Sequence, residues 1–241
     1  MFNTLKKSLV LALAVLAIGG APAHASVLMT GTRVIFPADQ KEKTLQFTNA
    51  DDHPNVVQIW LDTGAPDSTI DTADAPFIAN PQIFRVEPKA GQMVRLIYTG
   101  ADLPQDRESV FFLNFTQAPA IKASSQGANK LVLMFSSRLK VFYRPKGLAG
   151  SPADLASQLQ FRLADGQLQV SNPTGYHAVV RQASLSVGGR QIPLAESAMI
   201  APKSSTHWKI GRAAGDLSQA RLRITLVNDY GVDVVNELPL R

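Results

Sequence analysis

Few residues in this 241-residue chain are placed to do covalent or metal chemistry. Cysteine is absent, which removes thiolate nucleophiles, disulfides, iron–sulfur clusters and cysteine-liganded zinc together. Beyond His24, the histidines are His53, His177 and His207, far apart and beside Pro54, Tyr176 and Trp208, where they read as loop or strand-surface residues. Asp51-Asp52 and the Asp71 to Asp74 stretch are the carboxylate pairs that invite a metal or acid–base reading. Both stand among Pro, Thr and Asn, where solvated turn acids are the simpler account. No G-x-S-x-G elbow, Walker loop, G-x-G-x-x-G fingerprint or H-E-x-x-H pair occurs. Asn114-Phe115-Thr116 fits a glycosylation acceptor, but its apolar strand setting makes that a chance match. Enzyme, metal and cofactor are therefore not expected.

The chemistry that remains is backbone pairing. Leu131-Val132-Leu133-Met134-Phe135 is continuously apolar, so strand alternation puts Leu131, Leu133 and Phe135 on one face and Val132 and Met134 on the other. One face can pack on the chain's own core. The other needs cover from a loop or second domain, or from a partner that accepts the segment as an added strand.

The elements that must position this segment read as short strands divided by Pro, Gly, Asn and Asp clusters, the pattern of an antiparallel all-β protein. Runs are expected at 33–36, 44–48, 56–61, 92–98, 110–116 and 131–143, and again at 159–163, 167–171, 177–187, 205–210, 221–227 and 232–237. Pro145, Gly147, Gly150 and Pro152 mark a linker between the two sets. Each half then has the size of an immunoglobulin-like sandwich.

Ahead of the strands, Lys6 and Lys7, the apolar run Leu9 to Ile18 and Ala23-His24-Ala25 form a cleavable secretory leader. The chain after it carries 22 basic and 19 acidic side chains, a net charge of +3, too small an excess for a polyanion-binding surface. The expected divisions are a leader over 1–25, a first domain over 26–145, a linker over 146–152 and a second domain over 153–241. Neither nucleic-acid binding nor membrane insertion is expected.

Lys140-Val141-Phe142-Tyr143-Arg144-Pro145, directly after the apolar run, resembles the signature of the periplasmic pilus chaperones, the PapD-like family. Gly31-Thr32-Arg33-Val34-Ile35-Phe36, Leu103-Pro104-Gln105-Asp106-Arg107-Glu108-Ser109, Asn172-Pro173-Thr174 and Asn228-Asp229-Tyr230-Gly231 resemble further blocks of that family, in its order and across essentially all of the mature chain.

The resemblance implies two immunoglobulin-like β-sandwiches in an L or boomerang. It implies pilus subunits as partners, an outer-membrane usher as their destination and the periplasm as the compartment. Arg33 and Lys140 match the basic pair that binds a subunit's C-terminal carboxylate. Leu131, Leu133 and Phe135 match the alternating residues donated to a subunit's groove, an exposed edge that also invites self-association. Arg95, Glu108 and Asp229 match a charged cluster joining the domains, and Asn80-Pro81 falls at a cis proline of the family. The cysteine-free loop, roughly 117–129, resembles the short-loop subfamily, and the second domain lacks the cysteine pair of some relatives. Lys140 differs in parity from Leu131, Leu133 and Phe135, so only a bulge or strong twist would bring them to one face. A pilus structural component or adhesin of the sandwich type is the competing reading, and a periplasmic hydrolase or sugar-binding enzyme is a weaker one.

Overall fold

A computed structural model describes residues 26–120, 131–164, 166–211, 217 and 220–239. The expected leader and most of the expected 117–129 loop lie outside these residues.

Val27–Met29 (β1), Arg33–Pro37 (β2), Glu42–Asn49 (β3), Asn55–Asp62 (β4), Phe77–Asn80 (β5), Ile83–Val86 (β6), Gly91–Tyr98 (β7), Ser109–Pro119 (β8) and Phe135–Arg144 (β9) build the first sandwich. One sheet has the order β1-β3-β7-β5 and the other β2-β9-β8-β4-β6. The first chain segment thus divides between sheets, with β1 antiparallel to β3 and β2 parallel to β9. Alternation drives the packing. Val57, Ile59 and Leu61 of β4, Phe111, Leu113 and Phe115 of β8, and Val141 and Tyr143 of β9 face a common core with Phe36, Phe47 and Leu96. Phe47 meets Phe115 edge to face at 5.3 Å, a favoured aromatic geometry.

The second sandwich contains Gln160–Ala164 (β10), Gln167–Asn172 (β11), Ala178–Val187 (β12), Arg190–Ile200 (β13), Ser204–Lys209 (β14), Arg221–Val227 (β15) and Asp233–Pro239 (β16). Its sheets are ordered β10-β11-β14 and β13-β12-β15-β16, around Leu168, Leu185, Leu222 and Ile224. Between the sandwiches the Pro- and Gly-rich segment continues into a 3-10 turn, Pro152–Asp154, and one helical turn, Leu155–Gln158. Leu155 and Leu159 anchor that turn in the second core.

Short strands β1, β5 and β6 and the long β13 escape the sequence reading. The first three are too brief for a clear alternation. In β13, Pro193 and Glu196 interrupt the apolar pattern, and the strand is held by its hairpin with β12. Asn80-Pro81 is cis.

One expectation about an element is corrected. The run expected over 131–143 begins its ladder only at Phe135, because Gln117 is the last β8 residue paired to it. Beyond Gln117, Ala118 and Pro119 of β8 pair with β4 alone. Asn114 is 4% exposed, and its amide donates to Asp62 at 2.6 Å. That buried amide is a structural group, in keeping with a chance sequence match.

Candidate functional site

The apolar segment stands clear of the sheet. Leu131, Val132, Leu133, Met134 and Phe135 are 86, 41, 57, 67 and 53% exposed, and such a contiguous apolar run at a surface marks an interaction site. Where Phe135–Leu139 enters β9, its ladder is with β8 only, since β2 pairs with Lys140–Arg144. The outer edge of that stretch carries backbone groups with no ladder partner among the described residues. A groove of about 740 Å³ runs beside it, lined by β1, Phe115, Gln117 and the start of β9. Gln117 spans the gap on its inner side, its amide donating to the Val27 carbonyl at 3.2 Å.

The register of β9 settles the faces. From Gln117–Phe135 to Ser109–Tyr143 the β8 ladder is unbroken, so there is no bulge between Phe135 and Lys140. Leu139, Val141 and Tyr143 point to the first core with the parity of Phe135. Arg138, Lys140, Phe142 and Arg144 occupy the opposite face, from which Phe142 and Arg144 contact the second sandwich. Phe135, the expected donor residue within β9, and Lys140, the expected anchor residue within it, thus belong to opposite faces of that strand.

Arg33 and Lys140 are brought together as expected. They are register partners in the parallel β2–β9 ladder, and both are half-buried. Arg33 donates from Nη1 to the Val227 carbonyl at 3.1 Å, while its buried Nε has no partner among the described residues. Burial is the main cause that lowers the proton affinity of both groups. For Arg33, Asp229 opposes this and Arg181 adds to it. For Lys140, the guanidinium groups of Arg33, Arg181 and Arg138 add to it. No carboxylate contacts Lys140 among the described residues. Two desolvated cations with an unfilled donor form a site for a small anion, above all a carboxylate.

The charged cluster joining the sandwiches has a different arginine from the one expected. Arg95 lies on β7, in the other sheet, with Glu42 as its partner at 3.5 Å. Its place is taken by Arg144, the last residue of β9. Arg144 donates from Nε to Glu108 at 2.6 Å and from both terminal nitrogens to Asp229 at 2.7 and 2.9 Å. Burial alone would lower the Arg144 pKa, but these carboxylates outweigh it and raise it above the ordinary value. Glu108 in turn accepts from the His177 backbone N–H at 2.8 Å and lies 3.2 Å from the ring Nδ1. The His177 side chain is 5% exposed, a buried junction residue rather than the surface residue its neighbours imply. Its burial depends on a segment 69 residues away, which no local pattern reports.

Apolar contact completes the junction, with Phe142 packed on Val179 and Val227. Gly231, at φ 81°, approaches so closely that a Cβ there would overlap the Thr32 side chain. The left-handed conformation and the close approach both require glycine. No group of three or more metal-ligating side chains is present among the described residues.

Comparison with known proteins agrees with this architecture. Residues 26–149 match the family model for the pili and flagellar-assembly chaperone PapD N-terminal domain, and residues 154–238 match the PapD C-terminal domain model. This chain belongs to the PapD family of pilus-assembly chaperones. The probable fimbrial chaperone YadV of Escherichia coli (strain K12) is 35% identical over 214 residues, covering 86% of this chain and 87% of that one. The YadV crystal structure aligns with a TM-score of 0.76 at 33% identity, covering 90% of this chaperone and all of that chain. A Salmonella enterica structure of the SafA pilin in complex with the SafB chaperone aligns at 0.73 and 26% identity, covering 91 and 99% of the two chains. The PapD-family chaperones are not enzymes, and membership favours a chaperone over a pilus structural component or adhesin. None of the described helices is long and apolar enough to cross a membrane.

Proposed function

We propose that this chaperone works in the periplasm, capturing pilus subunits by lending them a strand and holding their C-terminal carboxylate. The observation that carries the reading is the exposed Leu131–Phe135 segment, which leads directly into the strand bearing Lys140. Leu131, Leu133 and Phe135 continue the parity of Leu139, Val141 and Tyr143. The face that fills the chaperone's own core therefore extends beyond it, ready to complete the core of a subunit whose sheet lacks a strand. Burying each of these side chains is worth roughly 1.5 to 3 kcal/mol before ordering costs.

Arg33 and Lys140, on the other face where the β2–β9 ladder begins, bind the terminus of the incoming chain. A carboxylate is common to every subunit, so the anchor fixes register without selecting sequence. The SafB–SafA complex supports pilus subunits as the partners. The leader directs export and is removed before Ser26, an outer-membrane usher receives the loaded complex, and the free segment pairs weakly with a second copy.

Co-expression with a pilus subunit tests the reading. Wild-type chaperone should protect and co-purify the subunit, and Leu133→Glu should do neither while melting at an unchanged temperature. Undiminished capture by folded Leu133→Glu and Phe135→Glu variants would remove strand donation from the account.

A further inference from the structure

The second sandwich places a third cation beside the two anchor residues. In β12, Val180 pairs with Leu226 and Gln182 with Thr225, so Arg181 has no opposite number in β15. A residue at such a bulge leaves the regular pleat and its side chain is re-aimed. Across the β13 ladder, Ser197 has φ 48°, so the neighbouring strand is irregular at the same level. Val179, two residues earlier, packs on Phe142 and Val227 between the sandwiches, which puts Arg181 at the rim of the junction.

Its present partner is Asp233, whose two oxygens accept from Nε at 3.2 and 3.3 Å. Asp233 is the ladder partner of Val227, and the Val227 carbonyl is the acceptor for Arg33. Arg181, through the Asp233 side chain, and Arg33, through the Val227 carbonyl, are therefore tied to one ladder pair from opposite sandwiches. The Arg181 charge also reaches both anchors, lowering the proton affinity of Arg33 and of Lys140. Around this point stand Arg33, Lys140, Arg138, Arg144 and Arg181 against Asp62, Glu108, Asp229 and Asp233, an excess of one positive charge that a single carboxylate neutralises.

We propose that Arg181 is a third member of the carboxylate site, contributed by the second sandwich and held in reserve by Asp233. A terminal carboxylate arriving at Arg33 and Lys140 competes with Asp233 for Arg181, so capture of a chain end draws on both sandwiches. This rests on the carboxylate-anchor reading above. The Arg181 side chain is 55% exposed and that of Asp233 45%, so the exchange needs only rotation of side chains already in contact with solvent.

The test has two readouts. In the free protein, the Lys140 ammonium is titrated by NMR in wild type, Arg181→Gln and Arg181→Lys. Arg181→Gln should raise the Lys140 midpoint and Arg181→Lys should restore it. In parallel, binding is measured for a synthetic peptide of alternating apolar residues with a free C-terminus and for its C-terminal amide. Arg181→Gln should weaken the free acid roughly two- to fivefold and leave the amide unchanged, whereas Asp233→Asn should tighten the free acid.

An unmoved Lys140 midpoint, or equal loss of acid and amide, overturns the role of Arg181. The titration decides alone where peptide affinity is too low to measure. Arg33→Ala and Lys140→Ala serve as controls on the underlying reading. If they too leave the acid–amide difference intact, the carboxylate anchor itself is wrong. If they erase it while Arg181→Gln does not alter it, only the third cation is.

Discussion

Arg33 and Lys140 face each other across a parallel ladder, one from the split first strand and one from the last strand of the same sandwich. Parallel pairing sets their side chains on one face at adjacent strand spacing, about 4.8 Å, with no neighbouring acid on Lys140 among the described residues. Like charges held so close are costly, and an incoming anion relieves that cost.

Removing either cation should therefore weaken subunit binding strongly. Loss of one member of a desolvated charge pair typically costs about 2 to 5 kcal/mol. Arg33→Ala and Lys140→Ala should each lower subunit affinity well over tenfold, measured by titration calorimetry or surface binding, and amidation of a subunit's terminus should match them. Affinities equal to wild type for both variants would leave the anchor without support.

Parity along the donated segment makes a separate prediction. Leu131, Leu133 and Phe135 share the core-facing parity of Val141, whereas Val132 and Met134 share that of Lys140. Glutamate at 131, 133 or 135 should reduce subunit capture far more than glutamate at 132 or 134. A flat profile across the five variants would mean that the segment binds as an unstructured apolar tether.

The junction offers a contrast between two arginines. Arg144→Ala strips the guanidinium from Glu108, which is 4% exposed and keeps only its contacts with His177, and breaking such a buried pair costs about 3 to 5 kcal/mol. Arg95→Ala removes an exposed pair with Glu42, worth at most about 1 kcal/mol. Urea unfolding of the two variants should separate them clearly, and equal destabilisation would return Arg95 to the cluster.

Acid stability should depend on Asp62. Burial of this fully enclosed carboxylate would raise its pKa, but hydrogen bonds from Arg138, Asn114 and the Gly64 N–H outweigh that and lower it. Arg138 makes two bonds to it, each 2.6 Å. A lowered native pKa stabilises the fold at all pH above the unfolded value of about 3.9, and the benefit fades as pH falls through the lower native value. Asp62→Asn should be less stable than wild type by about 1 to 3 kcal/mol near neutrality. The gap should hold down to about pH 4 and narrow below it. In denaturant melts over a pH series, a gap independent of pH would mean that folding leaves the Asp62 pKa unchanged, and a gap widening toward acid would mean a carboxyl kept neutral in the fold.

The sequence by itself carried the all-β class and the two sets of strands, and its family blocks singled out Arg33, Lys140 and the 131–135 run as candidates. Period-2 alternation and Pro and Gly punctuation are local properties, and the family blocks are contiguous. What required the tertiary structure was every relation between distant segments. The replacement of Arg95 by Arg144 follows from which sheet each strand joins, a choice made by packing. The burial of His177 needs Glu108 to arrive from the other sandwich. The withdrawal of residues 131–134 from the ladder depends on where β8 ends its pairing with β9. The parity question needed an unbroken register, because a single inserted residue would have turned Lys140 to the other face. Arg181 gave no signal in its neighbours: its position comes from a bulge, and a bulge exists only when two strands are laid side by side.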